Sequence, residues 1–284
     1  MSGAAGLLRV PLAGEILGNV VACGLDQQQR ARVLDAFRSR VDVQFIDSVA
    51  EIAPILRSTL EDVDIIVLPA VDRAGAAGTV DRVVRQIVVE RPRVAIVAYC
   101  PPAATYSVEI RALAAAGVHE FVFAGSDDVG ATFRAILAKA RRGCAADWVM
   151  QQLRPVVPPR LHRLLEAILA HPERVTSIPT LSAELGVHRK TLFNWCERSA
   201  FLPPAEILAW ARLALVAYHL ESTACTVETI ALELSYPSDT TLRNTIKRYT
   251  GLRASDVRSR GGVACVIEAL ARRLSTAQIA LHNK

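Results

Sequence analysis

Short apolar runs alternate with amphipathic segments through the first half of the chain. The apolar runs that are short enough for strands are residues 18–25, 41–47, 63–70, 93–99 and 119–125. The segments with apolar residues at helical spacing are 27–39, 49–60, 79–92, 105–118 and 127–142. Strands that are apolar almost throughout are typical of a parallel sheet covered on both faces. The pattern predicts an α/β domain with a flavodoxin-like (βα)5 doubly wound sheet.

A proline-rich segment separates this half from a half with helical patterns only. Residues 154–160 contain three prolines, which lack the amide hydrogen and restrict the residue before them, so the segment cannot be the interior of a helix. We predict a domain boundary there. The predicted parts are an N-terminal extension (1–15), an α/β domain (16–143), a proline-rich linker (144–159), an all-α domain (160–260) and a helical tail (261–284).

The all-α domain is predicted to hold two helix-turn-helix units joined by a long helix. The predicted ranges are 179–199 for the first unit, 204–221 for the long helix and 226–251 for the second unit. Thr180 is the expected cap of the first unit, and Gly186 makes its turn. Two units on one long helix suit contacts with two successive major grooves of DNA. The apolar spacing of residues 263–282 fits either packing on the same domain or a dimer contact.

Composition and charge are those of a globular protein with a basic second half. The chain has 284 residues, 51% of them hydrophobic, and no apolar run of the roughly 18–20 residues that a membrane span needs. Its start lacks the features of a signal peptide, so we expect a cytoplasmic protein. Residues 1–143 hold 16 basic and 16 acidic side chains, and the net charge of +5 therefore comes from the second half. Residues 239–260 hold six basic and two acidic side chains, a pattern that fits either a polyanionic partner or a solvated helix face.

The six cysteines are scattered and give no metal or disulfide motif. They are Cys23, Cys100, Cys144, Cys196, Cys225 and Cys265, with no C-x-x-C pair among them. We expect buried, reduced thiols, and a redox- or metal-sensing role is the alternative. The predicted strand order puts the third strand between Cys23 and Cys100, which opposes a disulfide between them. The small-residue-rich loop 71–81 has no P-loop motif and is either an ordinary loop or an anion cradle.

The α/β domain resembles the receiver domain of response regulators in its element order and size. The resemblance implies an acid pair after the first strand, a phosphoacceptor aspartate at the end of the third, a hydroxyl at the end of the fourth and a lysine at the end of the fifth. In this chain Asp26 stands alone, Pro69 occupies the phosphoacceptor position, Ala98 or Tyr99 the hydroxyl position, and Ala124 the lysine position. Phosphoryl transfer needs a nucleophile and charge neutralisation, and magnesium needs carboxylates. We therefore interpret the domain as a pseudo-receiver that is not phosphorylated.

The all-α domain resembles the AraC/XylS-type transcription regulators over about residues 160–260. The residues of the second unit that carry the resemblance are Ile230, Ala231, Tyr236, Leu242, Ile246, Lys247, Arg248, Gly251 and Arg258. Those of the first unit and the long helix are Ala183, Leu185, Gly186, Leu192 and Arg212. The departures are Ser235 for a turn glycine, Ala254 for a proline, Leu242 and Ile246 for phenylalanines, and Phe201 where a glycine is common.

This resemblance implies double-stranded DNA, at a promoter or operator, as the partner. The implied DNA-binding residues are Arg189, Lys190, Phe193 and Asn194 in the first unit, and Asp239, Thr240, Arg243, Asn244, Lys247, Arg248 and Arg253 in or after the second. A homodimer through the receiver-like domain is expected, with RNA polymerase as a further candidate partner and no membrane.

Taken together, these patterns predict a sequence-specific transcription regulator, with no enzymatic activity, cofactor or metal expected. The alternative is a regulator whose α/β domain senses redox state or a metabolite bound at the carboxyl ends of its strands.

Overall fold

The structure is a computed structural model that describes residues 18–37, 43–52, 63–72, 79–102, 107–221 and 225–282. The chain divides into two compact units, Met1–Cys144 and Ala145–Lys284. No helix within the described ranges is long and apolar enough to cross a membrane.

The first unit is built on a five-stranded sheet in which every strand pairs in parallel with its neighbours. The strands are β1 (Asn19–Cys23), β2 (Val43–Ile46), β3 (Val63–Pro69), β4 (Ala95–Cys100) and β5 (Glu120–Phe123). Their order is β2-β1-β3-β4-β5, so β3 lies at the centre, between β1 and β4. This confirms the predicted flavodoxin-like parallel sheet.

Helices cover both faces of this sheet because successive strand residues point to opposite sides. The helices are α1 (Gln27–Phe37), α2 (Thr79–Glu90), α3 (Ser107–Ala116) and α4 (Gly130–Leu153). Ile66 and Ile96 pack in one apolar cluster with α2, through Val84 and Ile87. Their neighbours along the strands, such as Ile65 and Val97, pack in a second cluster on the other face, with Val33, Phe133 and Leu137.

Two predicted elements of this unit lie largely outside the described residues. The predicted second helix begins as a 3-10 turn at Val49–Glu51, whose Ser48 side chain accepts a hydrogen bond from the Ala50 amide. Residues 53–62 and residues 73–78 of the small-residue-rich loop are not described.

Helix α4 differs most from its prediction. It begins at Gly130 and runs to Leu153, whereas the pattern predicted residues 127–142. Residues 144–153, which we assigned to the linker, are therefore helical. The prolines that follow lie in turns and in the 3-10 turn Pro159–Leu161, as their missing amide hydrogens require.

The second unit is all-helical after α4. Its helices are α5 (His162–Ala170), α6 (Ile178–Leu185), α7 (Arg189–Arg198), α8 (Pro204–Glu221), α9 (Val227–Glu233), α10 (Asp239–Thr250), α11 (Ala254–Ser259) and α12 (Val263–His282). Helix α8 is buried along nearly its whole circumference, and α5, α6, α7, α9, α11 and α12 all pack against it. It is the core of the unit, and it joins the pair α6–α7 to the pair α9–α10.

The tail helix α12 packs on its own unit. Val263, Val266 and Leu270 are buried, and Arg273 makes two contacts of 2.9 and 3.1 Å with the Glu206 carboxylate of α8. The first three turns of α12 therefore pack on its own domain, which was one of the two roles expected for the tail.

Candidate nucleic-acid interface

The two helix pairs are closed by the same turn, although different residues make it. Gly186 after α6 has a φ of 65°, and Ser235 after α9 has a φ of 52°. In both turns the amide of the following residue donates to the carbonyl oxygen five residues back, at 3.1 and 2.8 Å. This is the hydrogen bond of the Schellman motif. Ser235 therefore stands at the position of a turn glycine, as the resemblance to AraC/XylS-type regulators implied.

Side-chain caps set where the helices of the two pairs begin. The Ser177 hydroxyl accepts from the Thr180 amide, and the Thr180 hydroxyl accepts from the Ser177 amide at 3.0 Å. The cap of α6 is therefore Ser177, one turn before the predicted Thr180. Ser238 caps α10 by accepting from the Thr241 amide at 3.0 Å, and the His188 side chain accepts from the Lys190 amide at the start of α7.

Arg212 of α8 connects the two pairs from inside the core. Its side chain is only 6% exposed, and its guanidinium donates to the carbonyl oxygens of Pro172 and Val175, which precede α6. It also donates to the Leu234 carbonyl at the end of α9, at 2.5 Å, and lies 4.9 Å from the centre of the Tyr236 ring. A buried cation is tolerated here because its donors are satisfied by carbonyl oxygens.

Helix α7 presents all four of its proposed DNA-binding side chains to solvent. Its apolar side faces inward through Leu192 and Cys196, which are buried. Arg189, Lys190, Phe193 and Asn194 are exposed, and 40% of the Phe193 side chain is accessible.

Helix α10 has the same division between an inner and an outer face. Leu242 and Ile246 are fully buried, and the Tyr249 ring packs edge-on against Trp210 of α8 at 5.0 Å. The proposed DNA-binding residues on its outer side are Thr240, Arg243, Asn244, Lys247 and Arg248, all exposed, and the half-buried Asp239. Arg253, just before α11, is also exposed.

One ion pair lies within this outer face. The Arg243 Nε atom is 3.4 Å from the Asp239 carboxylate, one helical turn away. The hydrogen bond from Arg243 lowers the pKa of Asp239 below its ordinary value. Arg243 must release or share this carboxylate to bind a base edge.

Arg258 and Ala254, which the family resemblance named, have roles in the packing and the start of α11. The Arg258 side chain donates to the carbonyl oxygens of Leu220 and Cys225, each at 2.6 Å, so it ties α11 to the end of α8. It is therefore not one of the available cations that the charge count suggested. Ala254 is the first residue of α11, where proline is also favoured.

The first helix pair also contains a residue other than glycine in the left-handed conformation. Ala200, with a φ of 47°, ends the turn after α7. The left-handed conformation that favours glycine therefore falls on Ala200, the residue before Phe201.

At the carboxyl ends of the strands in the first unit lies a cavity of about 160 Å³. Its lining includes Asp26, Asp47, Pro69, Asp72 and Tyr99. Pro69 is the last residue of the central strand, as predicted, and offers no nucleophile. Asp26 caps α1, where it accepts from the Gln29 amide at 2.9 Å, and Asp47 is paired with Arg30 at 2.6 Å.

A buried hydrogen bond at this end of the sheet was not predicted. The Tyr99 hydroxyl donates to Asp128 at 2.5 Å, and the other oxygen of Asp128, a residue only 4% exposed, accepts from the Gly125 amide. Burial, followed by this hydrogen bond, raises the pKa of Tyr99. The Tyr99 hydroxyl, near the end of β4, thus donates to a buried carboxylate. Asp128 precedes α4 rather than forming its first turn, which the helical pattern of residues 127–142 could not reveal.

The cysteine thiols are buried, as expected. Burial raises the pKa of Cys23 to about 12 and those of Cys100 and Cys196 to about 11. Because the thiolate is the reactive form, these three thiols are poor nucleophiles. Across the described ranges, no group of three or more His, Cys, Asp and Glu side chains is placed to hold a metal ion.

Comparisons with known proteins agree with the helical half of this picture. Residues 181–260 match a family model described as a helix-turn-helix domain, a range that contains both turns and both exposed helices. A search of curated proteins finds no match. The family-model match over residues 181–260 confirms the AraC-type helix-turn-helix domain at the C-terminal end.

A search of solved structures also finds matches to the chain. One is full-length FixJ from B. japonicum, with 14% identity, 68% of this chain and 96% of that chain covered, and a TM-score of 0.39. Another is the RcsB response regulator of Salmonella typhimurium, with 10% identity, 70% and 99% covered, and a TM-score of 0.32. The helix-turn-helix match therefore lies in the second unit, which follows in sequence a first unit with a five-stranded parallel sheet.

Proposed function

We propose that the protein is a sequence-specific transcription regulator that inserts α7 and α10 into two successive major grooves of a promoter or operator. The observation that carries the proposal is the outer face of each helix. Each face combines exposed basic and amide side chains with an inner face that is buried on the unit's own core. Such a helix has no packing need for its outer residues and leaves them available to DNA.

The exposed side chains divide by the chemistry of their head groups. Arg243 can donate two hydrogen bonds to guanine, and Asn194 and Asn244 can each pair with adenine. Lys247, Arg248 and Arg253 lie at or beyond the last turn of α10, and we assign them to phosphates, which position the protein without specifying sequence.

Fluorescence anisotropy with the full-length protein tests this proposal. Each phosphate contact releases bound counterions, so the affinity for a duplex of about 20 base pairs from the region upstream of its own gene is expected to fall steeply with salt. Lys247→Ala is expected to reduce the slope of log K against log salt by about one. Lys139→Ala is the matched control, because Lys139 is an exposed lysine of the first unit that is paired with Glu120. Equal, salt-independent binding by all three proteins would refute the proposal.

For the receiver-like domain we propose a role in dimerisation or signal input without phosphorylation. Pro69 at the end of the central strand and Ala124 directly after β5 support it, since neither can take part in phosphoryl transfer. Incubation with acetyl phosphate and magnesium should leave the intact mass unchanged, and a stable phosphoryl adduct on residues 1–144 would contradict this.

Sedimentation of the full chain tests the proposed homodimer, and co-purification tests RNA polymerase as a partner. The proposed site of action is the cytoplasm.

The cavity at the strand ends supports a second candidate role, the binding of a small metabolite. It lies where parallel α/β sheets bind ligands, and three carboxylates line it. A thermal-shift screen of metabolites tests this role. Redox sensing by the first unit has less support than metabolite binding, because burial keeps the Cys23 and Cys100 thiols protonated.

A further inference from the structure

Phe193 is the one large apolar side chain that is exposed on the two helices α7 and α10, both of which lie fully within the described residues. The core does not need it, because Leu192 and Cys196 already fill the inner side of α7. Its neighbours on the outer side are Arg189, Lys190 and Asn194, which are cationic or polar. The phenyl ring therefore offers an apolar contact on a face whose cations suit a polyanionic partner.

The corresponding position on α10 holds a side chain of different chemistry. Phe193 is the fifth residue of α7 and Arg243 the fifth of α10, and each directly follows the first buried leucine of its helix. The next position is asparagine in both helices, Asn194 and Asn244. The two outer faces therefore share one amide and differ at the adjacent position, where one has a guanidinium and the other a phenyl ring.

We propose that Phe193 contacts the C5-methyl group of a thymine in the half-site that α7 reads. This inference rests on the proposed function, since it assumes that α7 lies in the major groove. A phenyl ring cannot donate hydrogen bonds to a base edge as the Arg243 guanidinium can, and the thymine methyl is the apolar group that the major groove displays. The two half-sites should therefore differ, with thymine beside adenine under α7 and guanine beside adenine under α10.

Replacement of thymine by deoxyuridine tests this contact, because it removes the methyl group and keeps every hydrogen-bonding group. Duplexes are first selected from a random library by the full-length protein, and each thymine of the selected site is then replaced in turn. We expect one thymine in the α7 half-site at which deoxyuridine weakens binding about fourfold, the value of one buried methyl group. The Phe193→Ala protein should bind both duplexes equally at that position.

Arg243→Ala is the matched variant, because it changes the equivalent position of the other helix. It should weaken binding but retain the dependence on the thymine methyl. Failure of the full-length protein to select any duplex would refute the proposed function itself. Selection of a site without methyl dependence at any thymine would overturn only the role of Phe193, as would a methyl effect that persists in Phe193→Ala. Unfolding of Phe193→Ala at the wild-type urea concentration would exclude a folding defect.

Discussion

Helices α7 and α10 have the same numbers of charged residues, but they place them differently along the helix axis. Each helix has three basic residues and one acidic residue. In α10 the acid, Asp239, is in the first turn, and Lys247 and Arg248 are in the last turn. In α7 the first residues are Arg189 and Lys190, and the acid, Glu197, is next to the last.

The helix dipole favours acids at the start of a helix and bases at its end. The charges of α10 follow this rule, so they are explained by helix stability as well as by DNA binding. The first-turn cations of α7 oppose it. Residues that break a local rule are often there for function, and the N-terminal residues of a recognition helix are the ones that reach base edges. The comparison therefore makes Arg189 and Lys190 stronger functional candidates than their charge alone would.

The largest expected effect comes from breaking the contact that both helix pairs share. Arg212→Met leaves buried carbonyl oxygens at Pro172, Val175 and Leu234 without their donor, and should reduce the free energy of unfolding by about 3–5 kcal/mol. Arg212→Lys keeps the charge but loses the planar guanidinium, so its free energy of unfolding should lie between those of the wild type and Arg212→Met. Urea unfolding followed by tryptophan fluorescence measures this, since all three tryptophans lie in residues 145–284. A loss below 1 kcal/mol would show that Arg212 does not support the pairs.

The second largest effect is expected from exchanging the turn residues, Gly186 of the first pair and Ser235 of the second. Gly186→Ser should cost about 1 kcal/mol through the left-handed backbone alone, because a Cβ atom at Gly186 meets no atom within 4 Å. Ser235→Gly should stabilise the second pair by about 0.5–1 kcal/mol, since it relieves the same strain. The same urea experiment measures both. Changes of equal sign would mean that the two turns are not equivalent.

The charge placement is tested by two identical substitutions. Lys190→Ala removes a first-turn cation and should stabilise the unit by about 0.3–1 kcal/mol, whereas Lys247→Ala removes a last-turn cation and should destabilise it by a similar amount. Both should weaken DNA binding. Because alanine is introduced in both, its helix propensity cancels in the comparison. Destabilisation by both substitutions would remove the argument from the dipole.

The smallest effect concerns the Asp239–Arg243 pair. The folded state lowers the pKa of Asp239, so the stabilisation exists above the ordinary value of 3.8 and is lost as the pH falls through the folded-state value. The difference in urea midpoint between the wild type and Asp239→Asn should therefore be small and positive at neutral pH and vanish in acid. A difference that does not change with pH would mean that the carboxylate charge contributes nothing.

Local patterns determined most of the elements of this protein. Apolar runs of strand length predicted the parallel sheet, with Pro69 at the end of its central strand. Leu192, Leu242 and Ile246 lie on the buried sides of their helices, as expected from helical spacing, because the side that a helix buries repeats with its turn. The DNA-binding residues on the outer sides of α7 and α10 were implied by the resemblance to AraC/XylS-type regulators, and nearly all of them are exposed.

Only the tertiary structure decided the contacts between residues far apart in sequence. Arg212 reaches carbonyl oxygens 37 and 40 residues away, Arg258 reaches carbonyls 33 and 38 residues away, and Tyr99 meets Asp128 across 29 residues. Neither charge nor periodicity distinguishes these side chains from solvated ones. Their partners are set by the packing around α8 and at the strand ends, where a buried polar group must find a hydrogen bond that the local sequence does not supply.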